Sequence, residues 1–498
     1  MDERYEVVIM GAGLSGLIAA CYLAKHGAKT ALVEKNSFVG GYCSSFRRNG
    51  FVFDSAAHSL GSCREEGQFG KIFTDFNVST ESIIGRADPS NAVVIGKDIY
   101  FVPSGTKKII KEFQGKFPSE KNSINDFFNI VDRFNINSLE SYLIYHRKFA
   151  HLDFKTFLNA HFKDERIKLL LTVFLGNAGM PAEGISSLSA IGIFKEFILD
   201  GGYFVKGGMQ NIAELFCGIF EKYGGEIIRS EEASKIVLDG KKIKGVMLEA
   251  NRFLACDNVI SAIDARTTFF KLIGEKIVGK KFVSMLGKKK PSLSAFIVYL
   301  GVKNIKSRVM ARTVWYIPQN GNVNKYFRNA TKGVFDSNPK FFLCSLPSYY
   351  DDTLAPRGYS VIQLYALAPF ISKSFWIKGK EIITASLINQ SKKVLGDFDC
   401  GDIVIKDSAS PWTLSRFTSN YKGACYGWAS TMQDSPNRGI RIKYFLDGLY
   451  LTGHWAIRGL GQGGTPMVAY SGRVTAKAVL KKISEKRSTV YISRGIDG

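Results

Sequence analysis

The chain has 498 residues, 45% of them apolar and 22% charged, and a formal net charge of +23. That length holds two or three domain-sized cores, and the composition is that of a globular protein rather than a disordered or fibrous one. The excess of lysine and arginine favours anionic partners, such as an anionic membrane surface, over cationic ones. Nothing resembles a helix-turn-helix, zinc finger or RNA-recognition motif, so nucleic acid is not an expected partner. The eight cysteines are scattered, with no C-x-x-C and no ligand spacing to histidine. That argues against a zinc or disulfide framework and suits a reducing cytosol. No signal peptide is read and no apolar run reaches transmembrane length. A cytoplasmic location is expected, with any membrane contact peripheral and on its inner face.

Residues 5–34, YEVVIMGAGLSGLIAACYLAKHGAKTALVE, read as strand, glycine turn, helix, strand. Val7, Val8, Ile9 and Met10 have the continuous apolar pattern of a parallel strand buried on both faces. Gly11, Gly13 and Gly16 follow in G-x-G-x-x-G spacing, with Leu14 and Ser15 opening the helix. The first glycine makes the turn, the second lets backbone approach a pyrophosphate, and the third lets helix pack on strand. The helix start supplies free N–H groups and a positive dipole end. Gly27 is placed to end that helix. The second strand ends at Glu34, eighteen residues past Gly16, where the fingerprint wants an acid for a ribose hydroxyl; Lys35 follows. Gly40 and Gly41, before Tyr42, offer another close backbone approach. A short strand then ends at Asp54, with His58 beyond it.

Residues 87–202 turn helical, with patterns at 125–134 and 167–175; the apolar run 169–180 reads as a buried core helix ahead of its alternative, a membrane contact. A helix at 210–223 and strands at 226–229, 235–238, 245–249 and 258–262 follow. Residues 279–291, GKKFVSMLGKKKP, mix five lysines with apolar residues and suit either a membrane interface or a solvated loop. Strand-like runs at 295–300 and 359–367 come next. The last strong signal is a strand at 449–451 ending on Gly453, then HWAIRGLGQGGTPMVAYSGR and a helix to about 483. Gly459, Gly461 and Gly464 repeat the glycine spacing, but no strand feeds directly into them and no second strand ends in an acid behind their helix.

These features resemble the flavin-dependent family of phytoene desaturases, carotenoid isomerases and related amine-oxidase-like enzymes. The resemblance rests on the fingerprint and Glu34, the glycine pair with the strand after it, the GGM segment at 207–209, and the closing YLTGHW…GGTPMVAYSGR. It departs at Tyr42, where the family usually has an arginine behind the pyrophosphate; Arg47 and Arg48 are candidates to replace it. The resemblance implies an α/β fold in which a Rossmann-type FAD-binding domain (1–86, 203–280, 416–498) is interleaved with an α+β substrate domain (87–202, 281–415). It implies FAD as cofactor, held also by Gly453, His454, Gly464, Met467 and Val468. It implies desaturation or isomerisation of a long apolar isoprenoid by hydride transfer to flavin, with His58 and His454 as candidate catalytic residues. Two rivals stand beside it. One is an amine-oxidase-like enzyme with a small aromatic-lined pocket. The other is a non-enzymatic escort protein for isoprenoid chains. Cys425, in Gly423-Ala424-Cys425-Tyr426, matches the setting in which some amine oxidases attach flavin covalently, whereas carotenoid-type relatives hold it non-covalently.

Overall fold

The computed structural model describes residues 3–303, 307–396, 398–432, 446–456 and 464–494. Its organising unit is the predicted one. Strand β1 (Glu3–Met10) runs into helix α1 (Leu14–Lys25) and returns as β2 (Thr30–Glu34). Every residue of β2 and all of α1 except Lys25 are buried, which explains the near-continuous apolar sequence. Gly11 adopts φ +97°, and a Cβ there would meet Ile263 at 2.7 Å. At Gly16 a Cβ would fall 2.1 Å from the Gly11 carbonyl oxygen, so the helix packs on the turn only because this residue is glycine. Gly27, at φ +73°, turns the chain just past the helix end.

The strands of the first sheet come from distant parts of the chain. Its order is Ala233–Asp239, Lys242–Leu248, Phe253–Ser261, β1, β2, Glu226–Arg229, and Leu449–Leu451 also pairs with Phe253–Ser261. The pairs around β1 and β2 are parallel, in the register Val7 to Thr30 and Val7 to Asn258. Helices Gln210–Lys222 and Thr465–Arg494 pack on α1 and cover one face. The closing helix thus continues past the expected end near residue 483.

A second seven-stranded sheet has the order Ile403–Ala409, Ser294–Lys303, Tyr359–Ala368, Phe342–Ser345, Thr313–Ile317, Asn91–Ile95, Asp98–Val102. Helices between Thr106 and Ile193 pack over one face of it and share one apolar core with it. The run at 169–180 belongs to that core: Leu170, Leu171, Val173, Phe174 and Leu175 are fully buried. The basic stretch at 279–291 forms a helix, Lys280–Lys288, instead of a loop. Leu286 is buried, and Phe282, Val283 and Met285 are partly buried against the core, so the apolar side of this helix faces inward. No helix among the described residues is long and apolar enough to cross a membrane.

Candidate functional site

One cavity of about 990 Å³ runs from the glycine turn of the first sheet to the face of the second. At its first end stand Gly11, Gly13, Leu14, Ser15, Glu34, Lys35, Gly40, Gly41 and Tyr42. Gly13 leads into α1 with extended backbone (φ −68°, ψ 168°), and a Cβ there would meet nothing within 4 Å. The first N–H groups of α1 have no intrahelical partner and open on this space. Gly40 and Gly41 both take positive φ, and the Gly40 N–H donates to the Ala12 carbonyl at 2.8 Å, holding the second glycine turn against the first. Glu34 is buried; its carboxylate accepts from the Ala12 N–H at 2.9 Å and from the Asn36 N–H at 3.0 Å. Lys35 donates to Ser419 Oγ at 2.6 Å, and burial holds its ammonium pKa below the usual lysine value.

Tyr42 donates its hydroxyl to the Gly423 carbonyl at 3.1 Å, so the residue in the expected arginine's place braces the wall. Arg48 lines the cavity and Arg47 does not. Gly16 and Met467 lie outside the lining: Gly16 is the packing contact described above, and Met467 packs against the second core. Gly453, His454, Gly464, Thr465 and Val468 close the cavity from the C-terminal side. Gly453 has φ +80°, and a Cβ there would sit 2.6 Å from Ser15 Oγ, so closing loop and first helix meet at a glycine. Gly459 and Gly461 lie outside the described residues.

At the second end the walls are aromatic and aliphatic. Tyr299, Trp315, Phe341, Leu343, Tyr365 and Tyr426 line this part. Sequence reasoning did not place them in the site because most lie on or beside strands of the second sheet whose pairing is not written locally, and Tyr426 lies in a bend. Asp264 and Asn420 were missed too. Asp264 accepts from the Arg266 and Tyr421 N–H groups, and Asn420 Oδ1 accepts from Trp455 Nε1 at 2.6 Å and faces His454 Nε2 at 3.3 Å. His58 packs against Tyr365, ring centroids 4.8 Å apart, and His454 stands 6.1 Å from Tyr42. The structure brings both histidines to the same cavity from sequence positions far apart.

Burial pushes both imidazoles down to about 4, and the Arg312 guanidinium adds to this at His58. They are therefore neutral at pH 7. A histidine kept neutral in the fold lends stability that is complete above its unfolded value of about 6.5. That stability is lost as pH falls towards 4, because the unfolded chain then takes up protons that the fold does not. The melting temperature should drop between pH 6.5 and 4, and the His58→Gln/His454→Gln variant should show a flatter slope. An unchanged slope would assign acid lability to other groups.

Cys425 also lines the cavity, and burial pushes its thiol up to about 12. A thiol so far from ionisation is a poor nucleophile. Acid denaturation should therefore leave all flavin in the supernatant; flavin fluorescence travelling with the polypeptide, and lost in Cys425→Ala, would reverse this reading.

A glycine turn between parallel strands, an acid at the end of the second strand, and Gly453 and Gly464 brought in from the C-terminal side of the same groove have the form of a dinucleotide-binding site. The chain belongs to the flavin containing amine oxidoreductase family, whose model matches residues 14–480. It is an FAD-dependent oxidoreductase of the amine-oxidase-like superfamily. It is 24% identical to the all-trans-retinol 13,14-reductase of Danio rerio, over 91% of this chain and 83% of that one. In structure it is similar to an oxidoreductase from Methanosarcina mazei (TM-score 0.68, 17% identity, 95% of this chain and 100% of that one). It is similar also to the cyclohexylamine oxidase of Brevibacterium oxydans (TM-score 0.63, 13% identity, 96% and 99%).

Proposed function

We propose that this chain binds FAD between its first glycine turn and its closing loop, and oxidises a compact, mainly apolar substrate at the aromatic end of the same cavity. The observation that carries this is the cavity itself. Its volume of about 990 Å³ must hold both cofactor and substrate, and sites for a single drug-sized ligand already take about 300–1,000 Å³. The dinucleotide takes most of it, which leaves room for a small substrate rather than a full-length carotenoid. The aromatic walls are those expected of the amine-oxidase-like alternative. A longer isoprenoid remains the second reading, favoured by the curated relative that acts on retinol.

In this reading Gly13, Leu14 and Ser15 offer backbone N–H groups to the pyrophosphate. Glu34 receives a ribose hydroxyl, with its carboxylate already oriented by Ala12 and Asn36. Gly40, Gly41, Tyr42, Gly453, Gly464 and Val468 shape the space for the flavin end. FAD supplies the two-electron acceptor. The chain orients the substrate, keeps water out with Trp315, Phe341 and Tyr365, and offers His58 and His454 as neutral imidazoles able to accept a proton. The test is anaerobic flavin bleaching by a panel running from ring-sized amines and ten-carbon isoprenoids to a forty-carbon polyene. Bleaching is expected from compact members alone; bleaching by the polyene at a comparable rate would restore the long-isoprenoid reading.

A further inference from the structure

The cavity meets solvent at the free edge of the second sheet, and the groups that line it there are charged. Strand Ile403–Ala409 ends the strand order of that sheet. Its Asp407 stands opposite Tyr299 in register, and both line the cavity. Lys380 reaches the Asp407 carboxylate at 3.7 Å and lines the cavity too; the two side chains are 39% and 41% exposed. Arg48 ends the strand Ser45–Arg48 and shares a face with Phe46. The path inward from it is continuous. The Arg48 guanidinium lies 5.1 Å from the Phe46 ring centroid, and the Phe46 and Tyr299 centroids are 4.9 Å apart. Arg48 is exposed, Phe46 half-buried and Tyr299 buried, and all three line the cavity. These residues mark an entrance to the aromatic end, distinct from the cofactor end, where Lys35 meets the Arg416 carbonyl.

The charges at this entrance select the substrate. Arg48 donates to the Arg47 carbonyl at 2.9 Å and pairs with no carboxylate among the described residues. A guanidinium stays charged at any working pH, and its planar fork fits a carboxylate or a phosphate. Asp407 does not offset it: Lys380 opposes the Asp407 charge, and Asp407 Oδ1 accepts from the Ser408 N–H at 2.7 Å. The entrance thus carries two cations against one acid, which repels an incoming ammonium. Deeper in, the aromatic walls offer no charged side chain. A charged head buried there would lose its water without gaining a partner, whereas at the entrance it keeps part of its water. We propose that Arg48 selects a substrate with an anionic head, a carboxylate or a phosphate, held at this entrance while the apolar body lies inward along Phe46 and Tyr299. This rests on the reading of the aromatic end as the substrate site.

The test uses the flavin-loaded protein and one ten-carbon chain with four heads: geraniol, geranylamine, geranic acid and geranyl phosphate. Binding is read from the flavin difference spectrum. The acid or the phosphate should bind about fivefold more tightly than the alcohol at low salt, as an exposed ion pair allows. The amine should bind most weakly. High salt should erase the preference for the anion, a readout that needs no variant. Arg48→Gln should lower anion affinity to that of geraniol and keep its flavin. Lys380→Gln, which unmasks Asp407, should weaken the preference, and Asp407→Asn should strengthen it. The tighter of the two anions identifies the head. Equal binding of alcohol and anions to wild type overturns the proposal but leaves the aromatic site standing. So does a preference retained in Arg48→Gln. Tightest binding of the amine overturns it and makes Asp407 the selecting charge. A folded Arg48→Gln protein without flavin overturns it by giving the guanidinium to the cofactor. No binding by any of the four overturns the proposal and the substrate reading together.

Discussion

Gly13→Asp is expected to give a folded, colourless protein. The backbone at this position is ordinary extended geometry, and the added side chain meets open space. Folding should therefore be disturbed by no more than about 0.5 kcal/mol, as for other substitutions without a structural partner. The carboxylate, however, would stand at the start of α1, where the pyrophosphate is held in the proposed complex. Like charges juxtaposed in this way cost several kcal/mol, enough to remove the cofactor. Gly16→Val is the contrasting control: its Cβ would fall 2.1 Å from the Gly11 carbonyl oxygen, so the chain itself should fail to fold. Circular dichroism and visible absorbance separate the two outcomes. A yellow Gly13→Asp protein would move the cofactor away from this turn.

Arg64→Met should lower stability by about 3–5 kcal/mol, the cost of leaving a buried charge without its partner. Arg64 bonds Glu196 and Asp200, each at 2.9 Å, and both carboxylates are under a tenth exposed. Ser62 also donates to Glu196, and Arg86 reaches Asp200 only at 3.9 Å. The substitution therefore strands two carboxylates with weak compensation. Glu196 sits in the turn Phe194–Leu199, whose Phe197 lines the cavity, so the cluster fixes one wall of the site. The loss should appear as a lower unfolding midpoint together with weaker flavin retention. Adding Glu196→Gln should recover part of it by removing one stranded charge. A loss under about 1 kcal/mol would mean that water reaches these carboxylates freely, as it does around exposed pairs.

The nucleotide-binding half of the site was legible because its rules are local. The glycine spacing, the buried strand and the acid at Glu34 all fall within thirty consecutive residues. The paired glycines at 40–41 and the closing strand at 449–451 carry equally local chemistry. The rest depends on partners that sequence does not place. Arg64 and Glu196 are 132 positions apart. Arg312 reads as one more basic residue until the second sheet sets it behind His58 and Tyr365. The stretch at 279–291 folds as a helix rather than a loop, and which of its sides faces protein is decided by Phe269 and the rest of the core it meets. The size of the substrate end, which separates a compact substrate from a long isoprenoid, is set by side chains from the two sheets together, and no single stretch encodes it.

The most direct measurement is the cofactor content of the purified protein, by visible spectrum and by analysis of what acid releases. One FAD per chain, fully released by acid and absent from Gly13→Asp, is the result expected. A colourless protein that takes up no flavin when FAD is added would contradict the account at its centre.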